Sequence, residues 1–241
     1  MNVAVCLPTY NERDNLEPLV GRVLEVLPEA RLYVIDDASP DGTGQVADRL
    51  AAADVRIAVL HRPGKAGLGP AYVAGFRRAL ADGAEIVFEM DADFSHDPAA
   101  IPFLIDALAD GDVVIGSRYV AGGRIETWGP VRRGVSRAGA TYARVVLGVP
   151  VRDLTAGFKC FRREVLETVD LDAVSSVGYA FQIELTYRAL RAGFRVVEVP
   201  IVFTDRVQGG SKMSRRIVLE AIVKVPALRL AAARSRLEPP L

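Results

Sequence analysis

The segment Ile86-Val87-Phe88-Glu89-Met90-Asp91-Ala92-Asp93 joins an apolar run to two closely spaced carboxylates, and Phe94-Ser95-His96-Asp97-Pro98 follows it. Its β-branched beginning predicts a buried strand that extends to Met90, and the residues after Asp93 predict a loop. Because alternate side chains of an extended segment leave on the same side, Asp91 and Asp93 are expected to converge where the strand ends. Carboxylate oxygens suit Mg²⁺ or Mn²⁺, which share their coordination sphere with substrate phosphates. The segment therefore predicts a metal site that holds a nucleotide diphosphate.

Strands and helices alternate along the chain on both sides of this segment. Strands are predicted at Val3–Leu7, Leu32–Ile35, Val55–Leu60, Glu85–Met90, Asp112–Ile115 and Val196–Phe203, and helices near 15–27, 42–53, 68–82 and 99–109. The first helix shows the apolar stripe, at spacings of three and four residues, that is typical of a helix packed on a core. The alternation predicts an α/β fold with a Rossmann-like, mostly parallel sheet flanked by helices.

Polar clusters follow four of the predicted strands. They are Pro8-Thr9-Tyr10-Asn11-Glu12, Asp36-Asp37-Ala38-Ser39-Pro40-Asp41-Gly42-Thr43, Asp91-Ala92-Asp93 and Gly116-Ser117-Arg118-Tyr119. Ligands of open α/β sheets bind beyond the carboxyl ends of the strands, so the clusters are expected to meet at one edge. A lone Asp-x-Asp is better explained by solvated carboxylates that cap a helix. Four polar clusters at one edge are hard to explain as independent caps.

The second cluster contains residues of two kinds. Ser39 or Thr43 is expected to cap the helix that follows. Asp36 and Asp37 precede that turn, and either carboxylate could accept hydrogen bonds from a base or a ribose. The glycine-rich segment 64–69 lacks the Gly-Lys-Ser/Thr ending of a phosphate loop. We interpret it as a flexible lead into the next helix, with Lys65 close to the nucleotide.

The charge of the chain is balanced overall but unevenly distributed. Its 241 residues, half of them apolar, fit one α/β domain or at most two small ones. The 30 basic residues balance 30 acidic ones. Residues 118–144, however, hold six arginines against one glutamate, and residues 206–236 hold eight basic residues against one glutamate. This asymmetry predicts phosphates or an anionic membrane surface facing the second half, with solvated helix faces as the alternative.

Cysteine usage and hydropathy bear on localisation. Cys6 and Cys160 are isolated, which gives neither a disulfide framework nor a metal-ligand spacing and predicts a reducing cytosol. The N-terminus leads straight into a strand without a signal peptide. No apolar run reaches the ~20 residues that a membrane span requires. We therefore expect a cytoplasmic protein, soluble or peripheral on the cytoplasmic face of the membrane, without nucleic acid as a partner.

These clusters resemble the motifs of glycosyltransferase family 2, and more narrowly those of the dolichol- and polyprenol-phosphate mannose synthases. Three later stretches match as well: Asp153-Leu154-Thr155-Ala156-Gly157-Phe158-Lys159, Gly178-Tyr179-Ala180-Phe181-Gln182 and Arg206-Val207-Gln208-Gly209-Gly210-Ser211-Lys212-Met213. The resemblance covers residues 1 to about 215 in the right order. It implies a GT-A fold, a GDP-mannose donor, a polyprenol-monophosphate acceptor and Mg²⁺ or Mn²⁺ as cofactor.

The resemblance also implies roles for individual residues. The donor nucleotide would be bound by Pro8, Tyr10, Glu12, Ile35, Asp37, Asp91, Ala92, Asp93, Arg206 and Lys212. The metal would be held by Asp91 and Asp93. The acceptor phosphate would be bound by Arg118, Arg132 and Ser136, with Arg133 competing for the place of Arg132. Arg206 and Lys212 would close a mobile loop over the diphosphate, so that Asp91, Asp93, Arg118, Arg206 and Lys212 form the catalytic set.

Two positions depart from the family pattern. Some members carry glutamine as a further metal ligand where this chain has Ser95, and some carry lysine where it has Ala180. Water would then complete the coordination of the metal, and one phosphate contact would be missing.

The residue types suit transfer of a hexose to a lipid phosphate. The departing diphosphate gains charge, which a divalent metal and the cations Arg206 and Lys212 would stabilise. The attacking phosphate is already an anion at cytosolic pH, so no general base is required. A direct in-line attack inverts the sugar centre and gives a polyprenyl β-mannosyl phosphate. If a base is used, Asp153 or Glu184 is the candidate.

The C-terminal residues 214–241 are expected to form an amphipathic, basic tail after a catalytic domain at 1–213. Pro226 predicts a kink or a helix end in this tail. The tail is either an interfacial helix on anionic lipid or a helix whose apolar face packs on the domain. Trp128 similarly either contacts lipid or anchors its loop. A separate membrane-anchoring protein is a further hypothesis.

Three functions are alternatives to this mannosyl transfer. The first, within the same family, is transfer of glucose from UDP-glucose to the same acceptor, or transfer of a sugar to another acceptor. The second is a dinucleotide-binding oxidoreductase, which the sequence disfavours because no Gly-x-Gly-x-x-Gly follows the first strand. The third is a non-catalytic nucleotide-binding module, against which the intact catalytic set argues.

Overall fold

The computed structural model describes residues 1–176, 178–205 and 215–234. For Tyr179 and for residues 215–221 and 232–234 it describes the backbone alone. Arg206 and Lys212, two members of the predicted catalytic set, lie outside the described residues.

A seven-stranded sheet forms the centre of the protein, with the strand order β3-β2-β1-β4-β7-β5-β8. The strands are β1 (Val3–Thr9), β2 (Arg31–Asp36), β3 (Ile57–His61), β4 (Ile86–Glu89), β5 (Val113–Ser117), β6 (Arg124–Ile125), β7 (Lys159–Arg162), β8 (Val196–Pro200) and β9 (Val202–Phe203). Parallel pairing joins β1 to β2 and to β4, β2 to β3, and β5 to β8. The prediction of a mostly parallel α/β sheet is therefore confirmed.

Strand β7 is the exception to the parallel order. It lies between β4 and β5 and is antiparallel to both. Its insertion keeps β4 and β5 parallel to each other, so their carboxyl ends still share one edge of the sheet. The sequence did not predict this strand. It has four residues, with Lys159 at one end and Arg162 at the other, and the two apolar positions between them are too few to show the alternation typical of a strand.

The helices cover both faces of the sheet. They are α1 (Arg13–Val26), α2 (Thr43–Ala53), α3 (Leu68–Ala81), α4 (Ile101–Asp106), α5 (Pro130–Leu147), α6 (Arg163–Thr168), α7 (Tyr179–Arg191) and α8 (Arg215–Arg234). Apolar side chains of α1, α2 and α4 form one core with the sheet, and those of α3, α5, α6 and α7 form the other. Gly75 lets α3 approach closely, since a Cβ there would lie 2.8 Å from Ile35 Cδ1.

The predicted strand Val196–Phe203 is divided into two. Strand β8 ends at Pro200, which lacks an amide hydrogen for further pairing. The chain then turns, and β9 pairs in parallel with β6 in a separate two-stranded sheet. This small sheet lies beyond the end of β5, where the Ile201 amide donates to the carbonyl of Ser117 at 3.0 Å.

The C-terminal helix α8 packs against α5 and α7. Val225 is fully buried in the core, and the Tyr142 hydroxyl donates to the Ile222 carbonyl at 3.0 Å. The helix runs past Pro226 to Arg234, so a helix end at Pro226 was the wrong expectation. Among the described residues, no helix is both long enough and apolar enough to span a bilayer.

Candidate functional site

The polar clusters after β1, β2, β4 and β5 lie at one edge of the sheet, because these strands run in the same direction. Backbone hydrogen bonds join the neighbouring strands near this edge. The Asp37 amide donates to the Thr9 carbonyl at 3.1 Å, and the Met90 amide donates to the Cys6 carbonyl at 3.3 Å. The expected meeting of the clusters at the carboxyl edge is confirmed.

The Asp91-Ala92-Asp93 segment lies beyond the strand and not within it. Strand β4 ends at Glu89, and the chain then makes a tight turn in which Phe94 has a φ of 60°. The argument from alternate side chains of an extended strand is therefore wrong for this pair. The positions of the two carboxylates are determined by the turn that follows the strand. Asp91 is half-buried, whereas Asp93 is buried and accepts a hydrogen bond from the Ser95 amide at 3.1 Å.

His96 shapes this turn from below. Its ring is buried and stacks on Phe158, with ring centroids 5.1 Å apart. The Asp91 amide donates to His96 Nδ1 at 3.4 Å. Such a histidine supports the backbone of the turn.

The donor atoms of this turn fit a hard divalent cation. Asp91 and Asp93 contribute carboxylate oxygens, and the Ser95 hydroxyl is buried without a hydrogen-bond partner among the described residues. In that part of the chain no group of three His, Cys, Asp or Glu side chains forms a complete cation site. Two carboxylates, with the remaining places left to water and substrate phosphate, are the usual ligand set for Mg²⁺.

The two aspartates after β2 have different surroundings. Asp36 is used within its turn, where it accepts hydrogen bonds from Thr9 Oγ1 at 3.1 Å and Ser39 Oγ at 2.6 Å. Asp37 is buried and pairs with Arg62 at 2.6 Å. Burial raises the pKa of Asp37, an effect that the charge of Arg62 only partly offsets. Asp37 is therefore the better candidate for contact with a nucleotide.

The cap of α2 differs from the expectation. Asp41 Oδ1 accepts hydrogen bonds from the Thr43 amide at 3.0 Å and the Thr43 hydroxyl at 2.6 Å. Ser39 instead accepts from the Asn11 amide and so ties the first cluster to the second. Naming Ser39 or Thr43 as the cap was therefore wrong: Gly42 is the N-cap residue, and Asp41, which precedes it, accepts a hydrogen bond from the first amide of the helix.

The other residues expected in the donor pocket differ in how far they are buried. Tyr10 is half-buried, and Lys65 Nζ lies 3.9 Å above its ring centroid. Glu12 is buried and accepts from Asn15 Nδ2 at 2.9 Å. Pro8 is half-buried, whereas the side chains of Ile35 and Ala92 are buried in the core. Nucleotide contacts by these residues stay predictions.

Arg118, at the end of β5, is held by a buried carboxylate. Its Nε and Nη2 atoms donate to Asp153 at 2.8 and 2.7 Å, and Nη2 also donates to Thr155 Oγ1 at 2.8 Å. Burial raises the pKa of Asp153, but the charge and hydrogen bonds of Arg118 outweigh this effect and keep the pKa below its usual value. Much of the arginine fork thus faces Asp153, and the role of Arg118 in binding the acceptor phosphate stays a prediction.

The expected acceptor residues on α5 lie at its first two turns. Arg132 lies over the Trp128 ring at 4.0 Å and pairs with Asp205 at 2.8 Å. Ser136 Oγ accepts a hydrogen bond from the Tyr119 hydroxyl at 2.7 Å. Arg133 instead donates to the Trp128 carbonyl at 2.6 Å. Both arginines thus contact other groups of the protein, and binding of an acceptor phosphate by Arg132, with Arg133 as its competitor, stays a prediction.

Trp128 and the two candidate bases have structural roles. Trp128 is buried and packs edge-on against Phe203 at 5.3 Å, so it anchors its loop. Asp153 is occupied by Arg118, as described above. Glu184 accepts a hydrogen bond from Ser176 Oγ at 2.6 Å, which ties the preceding loop to α7, and one from Arg188 Nε at 2.9 Å within that helix.

Sequence reasoning missed a buried polar network beneath the two aspartates. Glu89 and Lys159 face each other across β4 and β7, with 3.2 Å between Oε1 and Nζ, and neither is exposed to solvent. Lys159 also donates to Gln182 Oε1 at 2.6 Å. Burial raises the pKa of Glu89 and lowers that of Lys159, and each charge partly offsets the effect on the other. The one feature of the sequence that could have indicated this network is Glu89, a glutamate at the end of an otherwise apolar run.

The sequence matches the family described as Glycosyl transferase family 2 over residues 4–170. The polyprenol monophosphomannose synthase of Mycolicibacterium smegmatis is 53% identical over 223 residues, which are 92% of this chain and 84% of that protein. The undecaprenyl-phosphate mannosyltransferase of Micrococcus luteus is 49% identical over 232 residues, 96% of each chain.

A similar fold occurs in a mannosyltransferase from Pyrobaculum calidifontis that was solved in complex with GDP-Man and Mn²⁺. The TM-score is 0.60 at 18% sequence identity, and the match covers all of this chain and 76% of the other. The fold described above is thus the GT-A fold.

Proposed function

The chain belongs to glycosyltransferase family 2, and we propose that it transfers mannose from GDP-mannose to a polyprenol monophosphate with inversion, giving a polyprenyl β-mannosyl phosphate. One observation carries the proposal. In a chain that shares half its residues with two polyprenol-phosphate mannosyltransferases, paired carboxylates and arginines lie at the carboxyl edge of one sheet. The carboxylates suit a nucleotide-diphosphate donor, and the arginines suit a phosphate acceptor.

On the donor side, Asp91 and Asp93 would hold Mg²⁺ or Mn²⁺, which when bound offsets the charge of the departing diphosphate. Asp37 and Tyr10 would contact the nucleoside from the neighbouring strands. Arg206 and Lys212, by family resemblance, would contact the diphosphate. The interaction of one such preorganised group with the transition state is typically worth ~3 kcal/mol.

On the acceptor side, the phosphate must be positioned close to another anion. A phosphomonoester is already ionised at cytosolic pH, so it needs no proton acceptor in order to attack. The two buried carboxylates considered as bases, Asp153 and Glu184, both accept charged hydrogen bonds from arginine. Their engagement supports a reaction in which the protein binds and orients the phosphate but takes no proton from it.

Replacing Arg132 by alanine is expected to raise the KM for the polyprenol phosphate by roughly 10- to 100-fold, the value of one charge-assisted hydrogen bond. The KM for GDP-mannose should change little. Initial rates measured over a matrix of both substrates check this result. Arg124→Ala is the matched control, because Arg124 lies in the same segment and pairs with Glu126 at the surface. An equal rise in both KM values would contradict a role in binding the acceptor.

Helices α5 and α8 present a surface suited to lipid headgroups and acyl chains. Six of their apolar side chains are exposed: Val131, Val135, Val145, Ile222, Val223 and Leu230. Helix α5 also carries four arginines and no acidic residue. An apolar helix face rimmed by arginine binds anionic membrane surfaces. We therefore propose that the enzyme acts at the cytoplasmic face of the membrane, with a separate anchoring protein as a further partner.

Replacing Val131 and Val135 together by aspartate is expected to lower the affinity for anionic vesicles by about tenfold or more, since charge replaces apolar contact with the acyl boundary. Co-sedimentation with vesicles of phosphatidylglycerol and phosphatidylcholine measures the effect. Val55→Asp is the control, because Val55 is 93% exposed in the loop before β3, away from both helices. Equal binding by all three proteins would refute the assignment of this surface.

Calorimetric titration of GDP-mannose and UDP-glucose, each with and without Mn²⁺, tests the donor. Metal-dependent binding of GDP-mannose alone is the expected result, and transfer of radiolabelled mannose to a polyprenol phosphate would complete the assignment. Preference for UDP-glucose would change the reaction to glucosyl transfer on the same fold. Binding of neither donor would revive the non-catalytic alternative.

A further inference from the structure

Tyr72 is a buried phenol in direct contact with the carboxylates of the site. It lies on α3 and is fully buried, and its ring stacks on Phe76 and Phe181 with centroids 5.7 and 5.8 Å away. Packing between these two rings fixes the position of the Tyr72 ring. Its hydroxyl donates to Asp91 Oδ1 at 3.3 Å, longer than the usual separation of about 2.8 Å.

The phenol hydroxyl is the donor in this contact, and the carboxylate oxygen of Asp91 accepts the hydrogen bond.

The other carboxylate oxygen of Asp91, Oδ2, lies close to Gly157. A Cβ at Gly157 would lie 3.3 Å from Asp91 Oδ2, which is tighter than most real contacts of this kind. The carboxylate thus occupies a narrow space between a fixed phenol and a backbone without a side chain. Tyr72 and Gly157 have no charged side chain. Their residue types alone therefore do not indicate a role at a metal site.

We propose that Tyr72 is a positioning residue for the metal site: its hydroxyl holds the Asp91 side chain in the orientation that binds a divalent cation. The proposal rests on the assignment of Asp91 as a metal ligand under the proposed function. Partners that orient a ligating carboxylate typically contribute 10–100-fold to metal affinity. Because the ring is held by Phe76 and Phe181, loss of the hydroxyl should leave the packing of α3 intact.

The test compares Tyr72→Phe with the parent protein in direct Mn²⁺ binding, measured by the electron paramagnetic resonance signal of free Mn²⁺. GDP and, separately, UDP supply the phosphate ligands. The variant is expected to bind Mn²⁺ about tenfold more weakly. In the transfer assay it should need more Mn²⁺ for half-maximal rate but reach nearly the same kcat at saturating Mn²⁺. Unchanged Mn²⁺ affinity would overturn the proposal.

Tyr33, on β2, gives a matched control, because its partner Asp82 directly follows the C-terminal end of α3. The Tyr33 hydroxyl donates to Asp82 Oδ2 at 2.9 Å, and Tyr33 is also almost fully buried. Tyr33→Phe removes a similar buried hydrogen bond away from the site. It should lower the thermal unfolding midpoint about as much as Tyr72→Phe without changing Mn²⁺ affinity. Weaker Mn²⁺ binding in both variants would mean that general loosening is responsible, which overturns the proposal.

Gly157→Ala places a methyl group next to the other oxygen of the same carboxylate, Oδ2. Its effect on Mn²⁺ binding does not depend on how well Tyr72→Phe folds. The added methyl group is expected to displace Asp91 and weaken Mn²⁺ binding at unchanged Tyr72. Failure of the proposed function has a different signature: Mn²⁺ binding with GDP or UDP would still respond to Tyr72→Phe, although no mannose is transferred. A parent protein that binds no Mn²⁺ with either nucleotide would overturn both.

Discussion

Replacing Asp91 by asparagine is expected to abolish metal-dependent binding of the nucleotide donor and to lower kcat by about 10²–10³, while the protein stays folded. The charge of the carboxylate is what attracts the cation, and asparagine removes it at constant size. Asparagine still accepts a hydrogen bond from the Tyr72 hydroxyl, so the turn after β4 keeps that contact. The expected loss follows from removal of one preorganised electrostatic group.

Calorimetry with GDP-mannose and Mn²⁺, together with initial rates, measures this effect. Asp93→Asn should behave in the same way, since its side-chain oxygen can still accept from the Ser95 amide. Asp97→Asn is the control from the same loop, because Asp97 is exposed and accepts from the Ala99 amide as a helix cap, a role that asparagine fills equally well. Full activity of Asp91→Asn would refute the metal assignment, as would equal losses in all three variants.

Much of the fold could be predicted because its strands follow one another with regular apolar runs. The six predicted strands correspond to β1, β2, β3, β4, β5 and the β8–β9 pair, with ends shifted by one or two residues in most cases. The helices α5, α6 and α7 and the short strand β6 were not predicted, and neither was the antiparallel strand β7. Its residues become a strand through their neighbours β4 and β5, since a four-residue segment shows no period of its own.

The site could be predicted as a set of segments but not as a set of contacts. Adjacent strand ends placed the clusters correctly, because parallel strands share one carboxyl edge. The partners of each side chain come from elsewhere: Arg118 is paired with Asp153, 35 residues along the chain, and Asp37 is paired with Arg62. Asp36 and Asp37 are adjacent in sequence, and their roles can be told apart only by their partners in the fold. Asp36 accepts hydrogen bonds within its turn, whereas Asp37 pairs with Arg62 and is the candidate for nucleotide contact.

Replacing Lys159 by methionine is expected to destabilise the protein by about 3–5 kcal/mol, because it leaves Glu89 buried without its positive partner. Both side chains have no solvent exposure, and within the described residues neither carboxylate oxygen of Glu89 accepts a well-aligned hydrogen bond. The nearby charge of Lys159 is therefore the main interaction that offsets the burial of this carboxylate. Urea denaturation at neutral pH measures the change in the free energy of unfolding.

The pH dependence distinguishes an unpaired charge from lost packing. Burial raises the pKa of Glu89, and Lys159 opposes that rise in the parent protein. Without Lys159 the folded state binds the Glu89 proton more tightly than the unfolded state does. The free energy of unfolding of the variant should therefore rise as the pH falls through the folded-state pKa, and its deficit should shrink in mildly acid buffer. A deficit independent of pH would indicate a packing defect instead.

A second substitution checks that the charge is the cause. Adding Glu89→Met to Lys159→Met removes both charges at similar volume and is expected to recover much of the lost stability, since apolar replacements of a buried ion pair are often neutral. Arg22→Met gives the surface control: Arg22 pairs with Glu25 at 3.8 Å in solvent, where an ion pair contributes only about 0–1 kcal/mol. If the double variant is no more stable than Lys159→Met, Glu89 is not the source of the instability. Recovery would show that the ion pair balances two buried charges directly beneath Asp91 and Asp93 and adds little net stability to the fold.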